Sequence, residues 1–176
     1  MTAFRTAARL GLSVVAATAL TAALAGSASA ATATRTVTVG ATTYNLSLTA
    51  PDSAAATGAN VTVSGSGYNP AQGIYVGLCA IDGAQGANKP TPCLGGQDES
   101  GTTGASYWIS NQGGGSVPNS TTFAANGSFS VTLHVKADLG GGNVCGSTVE
   151  CAVVTRADHT GSANRTYDVH APIDFQ

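Results

Sequence analysis

VCGSTVECAVVTRADHT, Val144 to Thr160, holds two of the chain's four cysteines, an apolar β-prone run and an abruptly polar end. The run Ala152-Val153-Val154-Thr155 is bounded by Cys151 and the charged group that follows, a length that suits a strand and not a helix of three turns. It is apolar on both faces, and a strand of that kind needs cover on both sides. The polar end, Arg156-Ala157-Asp158-His159-Thr160, is the densest titratable group in the chain. It invites three readings: a reaction site, a ligand wall or a turn. Asp158 and His159 are neighbours, and neighbours point apart on an extended chain. Orienting a catalytic histidine needs a carboxylate aimed at its ring. A polar turn after a strand is the better account.

A second stretch has the same character. In Ile74 to Ile81, Ile74, Val76, Leu78 and Ala80 share one face, and Tyr75, Gly77, Cys79 and Ile81 the other. Neither face is polar, so a hairpin, a partner or a ligand must cover the second one. The remaining strands alternate more plainly. Thr43 to Ala50 sets Tyr44, Leu46 and Leu48 against Asn45, Ser47 and Thr49. Asn60 to Ser64 turns Val61 and Val63 inward. Phe129, Val131, Leu133 and Val135 oppose Ser128, Ser130, Thr132, His134 and Lys136. Ala105 to Ser110 puts Tyr107 and Ile109 on one face and Trp108, the only tryptophan, on the other. Tyr167 to Phe175 closes the domain with Asp168, His170 and Asp174 facing out. These are seven or eight short strands joined by Gly, Pro and Asn turns, with no helix. They predict an all-β, immunoglobulin-like antiparallel sandwich with Greek-key connections.

The first thirty residues stand apart. Arg5 and Arg9, the apolar stretch Leu10 to Leu24 and the Ala-x-Ala ending at Ala30 predict a secretory signal peptide over residues 1–30. A membrane anchor is the competing reading, but the apolar run is short and ends in small residues. Residues 31–42 form an N-terminal arm or edge strand, and 43–176 the sandwich domain. Without residues 1–30 the chain keeps 146 residues, all nine acids and five of seven basic residues, a formal charge of −4. That charge argues against direct contact with phosphate backbones. The expected product is extracellular, monomeric and free of the membrane.

Four cysteines in an exported chain read as two disulfides, for which three connectivities exist. Cys79–Cys93 with Cys145–Cys151 is the local choice, and the first closes a 15-residue loop worth roughly 3 kcal/mol on the chain-entropy model. Zinc ligation lacks the required CxxC or spaced histidine pairs. The chain has no GxSxG elbow, HExxH, P-loop or GxGxxG between strand and helix. His134 and His170 read as solvated side chains.

The informative feature is apolar surplus. If the second faces of Ile74–Ile81 and Val149–Thr155 adjoin, with Trp108 beside them, they line an apolar cleft with Arg156 as its placed polar group. The bland alternative is that the Cys79–Cys93 hairpin covers that face.

From Tyr44 to Phe175 the chain resembles the neocarzinostatin family, the secreted actinobacterial apoproteins of enediyne antibiotics. The landmarks are Val61-Thr62-Val63-Ser64-Gly65, Tyr75-Val76-Gly77-Leu78-Cys79-Ala80, Ala125-Asn126-Gly127-Ser128-Phe129-Ser130-Val131, the Cys145/Cys151 pair and Ile173-Asp174-Phe175. The resemblance implies a seven-stranded sandwich with both disulfides local. It implies a cleft that sequesters a non-covalent enediyne-type or other apolar aromatic chromophore, whose release cleaves DNA and gives antibiotic activity. The implied cleft residues are Ile81, Phe123, Val154 and Arg156; the reading of the strands adds Trp108. The chain departs from the pattern at Ile81, where carriers can place an aromatic residue. It departs again along Ala152, Val154 and Arg156, which are bulkier and charged at the end, and in Leu94 to Asn111, which looks inserted. No catalytic residue and no metal are expected. Two other functions fit the sequence less well. One is an extracellular protein or cell-wall interaction module working through Trp108. The other is a hydrolase working through Asp158 and His159.

Overall fold

The computed structural model describes residues 29–96 and 100–176. All but the last two residues of the expected signal peptide lie outside that range, as do residues 97–99 of the Leu94–Asn111 segment. In chain order the strands are β1 (Ala30–Val39), β2 (Thr42–Pro51), β3 (Ser53–Ala54), β4 (Ala59–Ser66), β5 (Ile74–Ile81), β6 (Ser106–Ile109), β7 (Ser120–Thr121), β8 (Phe129–Val135), β9 (Asp138–Gly140), β10 (Asn143–Val144), β11 (Glu150–Ala157), β12 (Val169–Pro172) and β13 (Asp174–Phe175). One sheet has the order β1-β2-β4-β8 and the other β12-β11-β5-β6-β7. Strands remote in sequence pair, β4 with β8 and β5 with β11, as Greek-key connections require.

The alternation read from the sequence decides which side chains enter the core. Leu46 and Leu48 of β2, Val61 and Val63 of β4, and Val131 and Leu133 of β8 pack against Ile74, Val76 and Leu78 of β5 and Val153 of β11. A β-strand presents alternate residues to opposite faces, so each sheet offers one apolar layer to the other. Tyr68 spans this core. Its hydroxyl meets that of Thr155 at 3.0 Å, and burial pushes its pKa well above the usual tyrosine range.

Both local disulfides are present, Cys79–Cys93 and Cys145–Cys151. The all-β, immunoglobulin-like sandwich therefore stands as expected, with four local differences. The strands outnumber the seven or eight expected, because short pieces such as β3, β7 and β13 add to them. β7 pairs parallel to β6 and β13 parallel to β3, so the sheets are not wholly antiparallel. The strand expected over Tyr167–Phe175 breaks after Pro172, which has no N–H to continue the ladder, and β13 leaves to join β3. β11 runs through Arg156 and Ala157, which pair with Tyr75 and Ile74, so the turn begins at Asp158.

β1 pairs with β2 over ten residues, from Ala30 opposite Pro51 to Val39 opposite Thr42. This edge strand is not confined to its own sheet. Arg35 reaches across to donate to the carbonyl oxygens of Arg165 and Asp168, at 2.6 and 2.9 Å.

Candidate functional site

The outward face of the five-stranded sheet brings together the residues with both apolar surplus and chemistry. Its register sets them in rows. Trp108, Tyr75 and Arg156 lie side by side on β6, β5 and β11. The next row is Ser106, Gly77, Val154 and His170, followed by Cys79, Ala152 and Pro172, and then Ile81 beside Glu150. The surplus is thus one continuous surface.

A loop of the same chain covers most of it. After Ile81 the segment 82–92 crosses β11 towards β12 and β1. Gln85 accepts a hydrogen bond from the backbone N–H of His170 at 2.9 Å, and Gly86 lies against the Arg35 guanidinium. The loop then returns to β5, where Thr91 and Leu94 donate to the carbonyls of Ala80 and Leu78. The Cys79–Cys93 disulfide fastens it there. Ile81 and Cys93 pack on Cys79, Ala152 and Val154 as a second, smaller core. Val154 is 1% exposed. Of the two covers left open by the sequence, hairpin or ligand, the hairpin is in place.

Under the loop remains a gap of about 10 Å³ beside Gly77, Cys79, Ser106 and Val154, room for a single water. Tyr75 and Arg156 border this gap and also line an open cavity of about 260 Å³ with Lys89, Asp158, His159 and Ser162. The gap and the cavity are therefore the covered and open ends of one trough. A larger depression of about 470 Å³ lies elsewhere, between Leu94, Thr103, Ala105, His134 and Lys136, and has none of this aromatic lining.

The open end is built with care around Asp158. This residue caps the short 3₁₀ turn His159–Gly161. Its Oδ1 accepts from Gln72 Nε2, from the Thr160 amide and from the Thr160 hydroxyl, and its Oδ2 accepts from Trp108 Nε1 at 2.9 Å. His159 points the other way: its Nδ1 meets the Tyr75 hydroxyl at 2.9 Å, and its ring lies 5.4 Å from that of Trp108. Asp158 and His159 do not bond to one another, and each has a structural task. Arg156 lies over the Tyr75 ring, 5.9 Å from its centroid. Burial and then the nearby Arg165 hold its pKa below the usual guanidinium range.

Behind this end lies a buried polar corner. Asp168 is fully buried. Its Oδ2 accepts from Arg165 at 2.9 Å, while its Oδ1 and the Nε2 of His170 have no hydrogen-bond partner. Burial raises the Asp168 pKa to about 6, against the opposing pull of Arg165, Arg35 and Arg156. Burial, and next the Arg35 charge, lower that of His170. The alternation of the sequence predicts Asp168 and His170 on a solvated face; the structure buries both, because the loop over β12 removes the solvent.

Of the five residues named from the sequence, Trp108, Val154 and Arg156 adjoin on this face. Ile81 lies on it too, at its far end beside Glu150 and packed on the second core. Phe123 is elsewhere, between the sheets, stacked on Tyr68 at 6.3 Å. Tyr75 and Lys89 were not singled out. Tyr75 was legible as the one aromatic on the surplus face of its strand, but Lys89 reaches the site only through the path of the loop.

This architecture is a two-sheet β-sandwich with a covered apolar face on its second sheet. The model of the neocarzinostatin family matches residues 46–171, and the chain belongs to that family. The match leaves out β1, Arg35 included. Comparison with curated proteins and with solved structures gives no match. No helix among the described residues is long and apolar enough to cross a membrane, and no three metal-ligating side chains cluster among them.

Proposed function

We propose that this protein is a secreted, non-enzymatic carrier that sequesters a small apolar or aromatic molecule against the outward face of its second sheet. Membership of a family of carrier apoproteins supports this, as do two disulfides suited to an oxidising compartment. The observation that carries it is the trough itself. An apolar strand face, continuous from Ile81 to Trp108, opens at one end between Tyr75 and Arg156 instead of closing into a full core. Apolar walls exclude water, and a few placed polar groups set orientation.

The trough as it stands limits the ligand. The covered end takes one water, and the open end, at about 260 Å³, takes one or two rings. An enediyne-type chromophore, the ligand that the family suggests, therefore requires the 82–92 loop to lift from Val154. Any effect on DNA, and any antibiotic activity, would then run through the released chromophore. Ile81, Trp108, Val154 and Arg156 would form the wall in the opened state.

Native mass spectrometry of protein recovered from its source, compared with refolded protein, tests the reading. A co-purifying mass lost on refolding, with Trp108 emission changed, is the expected result. Identical masses in both preparations, with no small aromatic molecule perturbing Trp108, would sink it. The alternative of a Trp108-centred interaction module gains nothing from the geometry, because the indole is tied to Asp158 and packed against His159 and Gly113.

A further inference from the structure

Beyond residue 30 the chain has five basic side chains, and four of them gather around one end of this trough: Arg35, Lys89, Arg156 and Arg165. In a chain otherwise acidic, that is a local reversal of sign. Two of the four are engaged. Arg165 pairs with Asp168, and Arg35 donates to the backbone at Arg165 and Asp168. The two nearby carboxylates among the described residues are likewise satisfied or buried. Asp158 is fully hydrogen-bonded and 1% exposed, and Asp168 faces Arg165 with no access to solvent.

Arg156 and Lys89 differ. Among the described residues neither side chain has a hydrogen-bond or ion-pair partner, and both line the open cavity. Arg156 is half-buried, which costs its guanidinium solvation, and among the described residues Asp168 offsets this only from a distance, with no ion pair formed. Its position over Tyr75 orients the planar fork, which suits bidentate contact with a carboxylate. Beside the fork are three aromatic rings: Tyr75, His159 and Trp108, with His159 5.4 Å from Trp108 and 6.2 Å from Tyr75. Two cations next to an aromatic wall, in a space fit for one or two rings, define a ligand of stated chemistry.

We propose that the open end of the trough binds an aryl acid, its carboxylate held between Arg156 and Lys89 and its rings laid against Tyr75 and His159. This rests on the carrier reading and narrows it to an anionic ligand.

Three matched probes test it on the purified protein: biphenyl-4-carboxylate, biphenyl-4-carboxamide and biphenyl-4-methylamine, titrated against the emission of Trp108. The acid should bind at least tenfold more tightly than the amide, and the amine most weakly. Lys89→Gln, on an exposed loop, should reduce the preference for the acid several-fold and leave amide affinity unchanged. Arg156→Gln should abolish that preference, with residual amide binding reporting an intact site. Lys136→Gln, remote from the trough, should change nothing. Equal binding of acid and amide, or tightest binding of the amine, overturns the anionic assignment and leaves the carrier reading standing. If none of the three perturbs Trp108 or the amide spectrum of the protein, the carrier reading at this face fails, and the proposal with it.

Discussion

Trp108 Nε1 donates to Asp158 Oδ2 at 2.9 Å, joining the middle of β6 to the residue that follows β11, fifty positions later in the chain. The bond explains why the only tryptophan points away from the core yet is not a free surface anchor. It also explains why a carboxylate can stay buried: four donors converge on it, one on Oδ2 and three on Oδ1. Asp158→Ala should strand the indole N–H and the Thr160 amide together, while the Gln72 amide keeps Gly73 O and the Thr160 hydroxyl. A loss of about 3 kcal/mol is expected, in the range for removing one partner of a buried charged network. Asp158→Asn should lose less. Chemical denaturation measures both, and a red shift of Trp108 emission should accompany the loss.

Arg35 sits on β1, outside the family match, and ties down both the β12 approach and the loop over the trough. Arg35→Lys keeps the charge but not the planar Nη1 that donates to both carbonyls, so about 1–2 kcal/mol of stability should go. The local consequence is more telling. Amide exchange at Gln85 to Ala87 and at His170 should speed up more than exchange in β2 or β4. Gly86→Ala should act alike, because its φ is +79° and a Cβ there would enter the Arg35 guanidinium.

Asp168 gives the pH dependence. Its folded pKa, about 6, lies above the unfolded value near 3.8, so the folded state binds the extra proton between those limits. Stability from this group therefore rises as pH falls through 6 towards 4, and is lowest above 6. Two pKa units correspond to about 3 kcal/mol as an upper figure. His170 acts in the opposite sense. Its folded pKa is lowered, so its contribution falls as pH drops through the unfolded value near 6.5. Comparing wild type with Asp168→Asn isolates the aspartate: between pH 7.5 and 4.5 the difference should move in favour of wild type. A pH-independent difference would mean that the Arg165 pair outweighs burial.

The strands were legible because their apolar periods are clean. Ile74–Ile81 announced that its second face needed cover, and Val149–Thr155 announced the same. What covers them was not legible. The segment 82–92 is rich in Gly, Ala and Pro and has no periodicity, so nothing in it says that Gln85 reaches His170 or that Lys89 returns to Arg156. Asp168 and His170 looked solvated for the same reason: alternation tells which face a side chain takes, not what lies over that face. Asp158 read correctly as a turn residue, although the turn was expected from Arg156 onward, and its bond to Trp108 depends on a register between β5 and β6 that no local pattern encodes. Phe123 entered the candidate wall only through family resemblance, and the local chain turns it onto Tyr68 in the core.

Gly77 marks the covered end of the trough. It sits mid-face between Ser106 and Val154 and borders the covered gap. A Cβ there would meet nothing nearer than the Ala105 carbonyl at 3.4 Å, which is ordinary contact, and its φ is not positive. Gly77→Ala should therefore fold, with stability unchanged or raised by about 0.4–1 kcal/mol through a less flexible unfolded chain. Gly77→Val projects further into the gap. If a ligand lifts the loop and lies along Val154, Gly77→Val should weaken its binding tenfold or more. If the ligand stays at the open end, between Arg156 and Lys89, affinity should hold within twofold. Titrating the acid probe against both variants, with thermal unfolding as the check on folding, decides which end of the trough is used. An unchanged affinity for the acid, combined with a lost affinity for a larger apolar ligand, would show that the loop opens for one and not for the other.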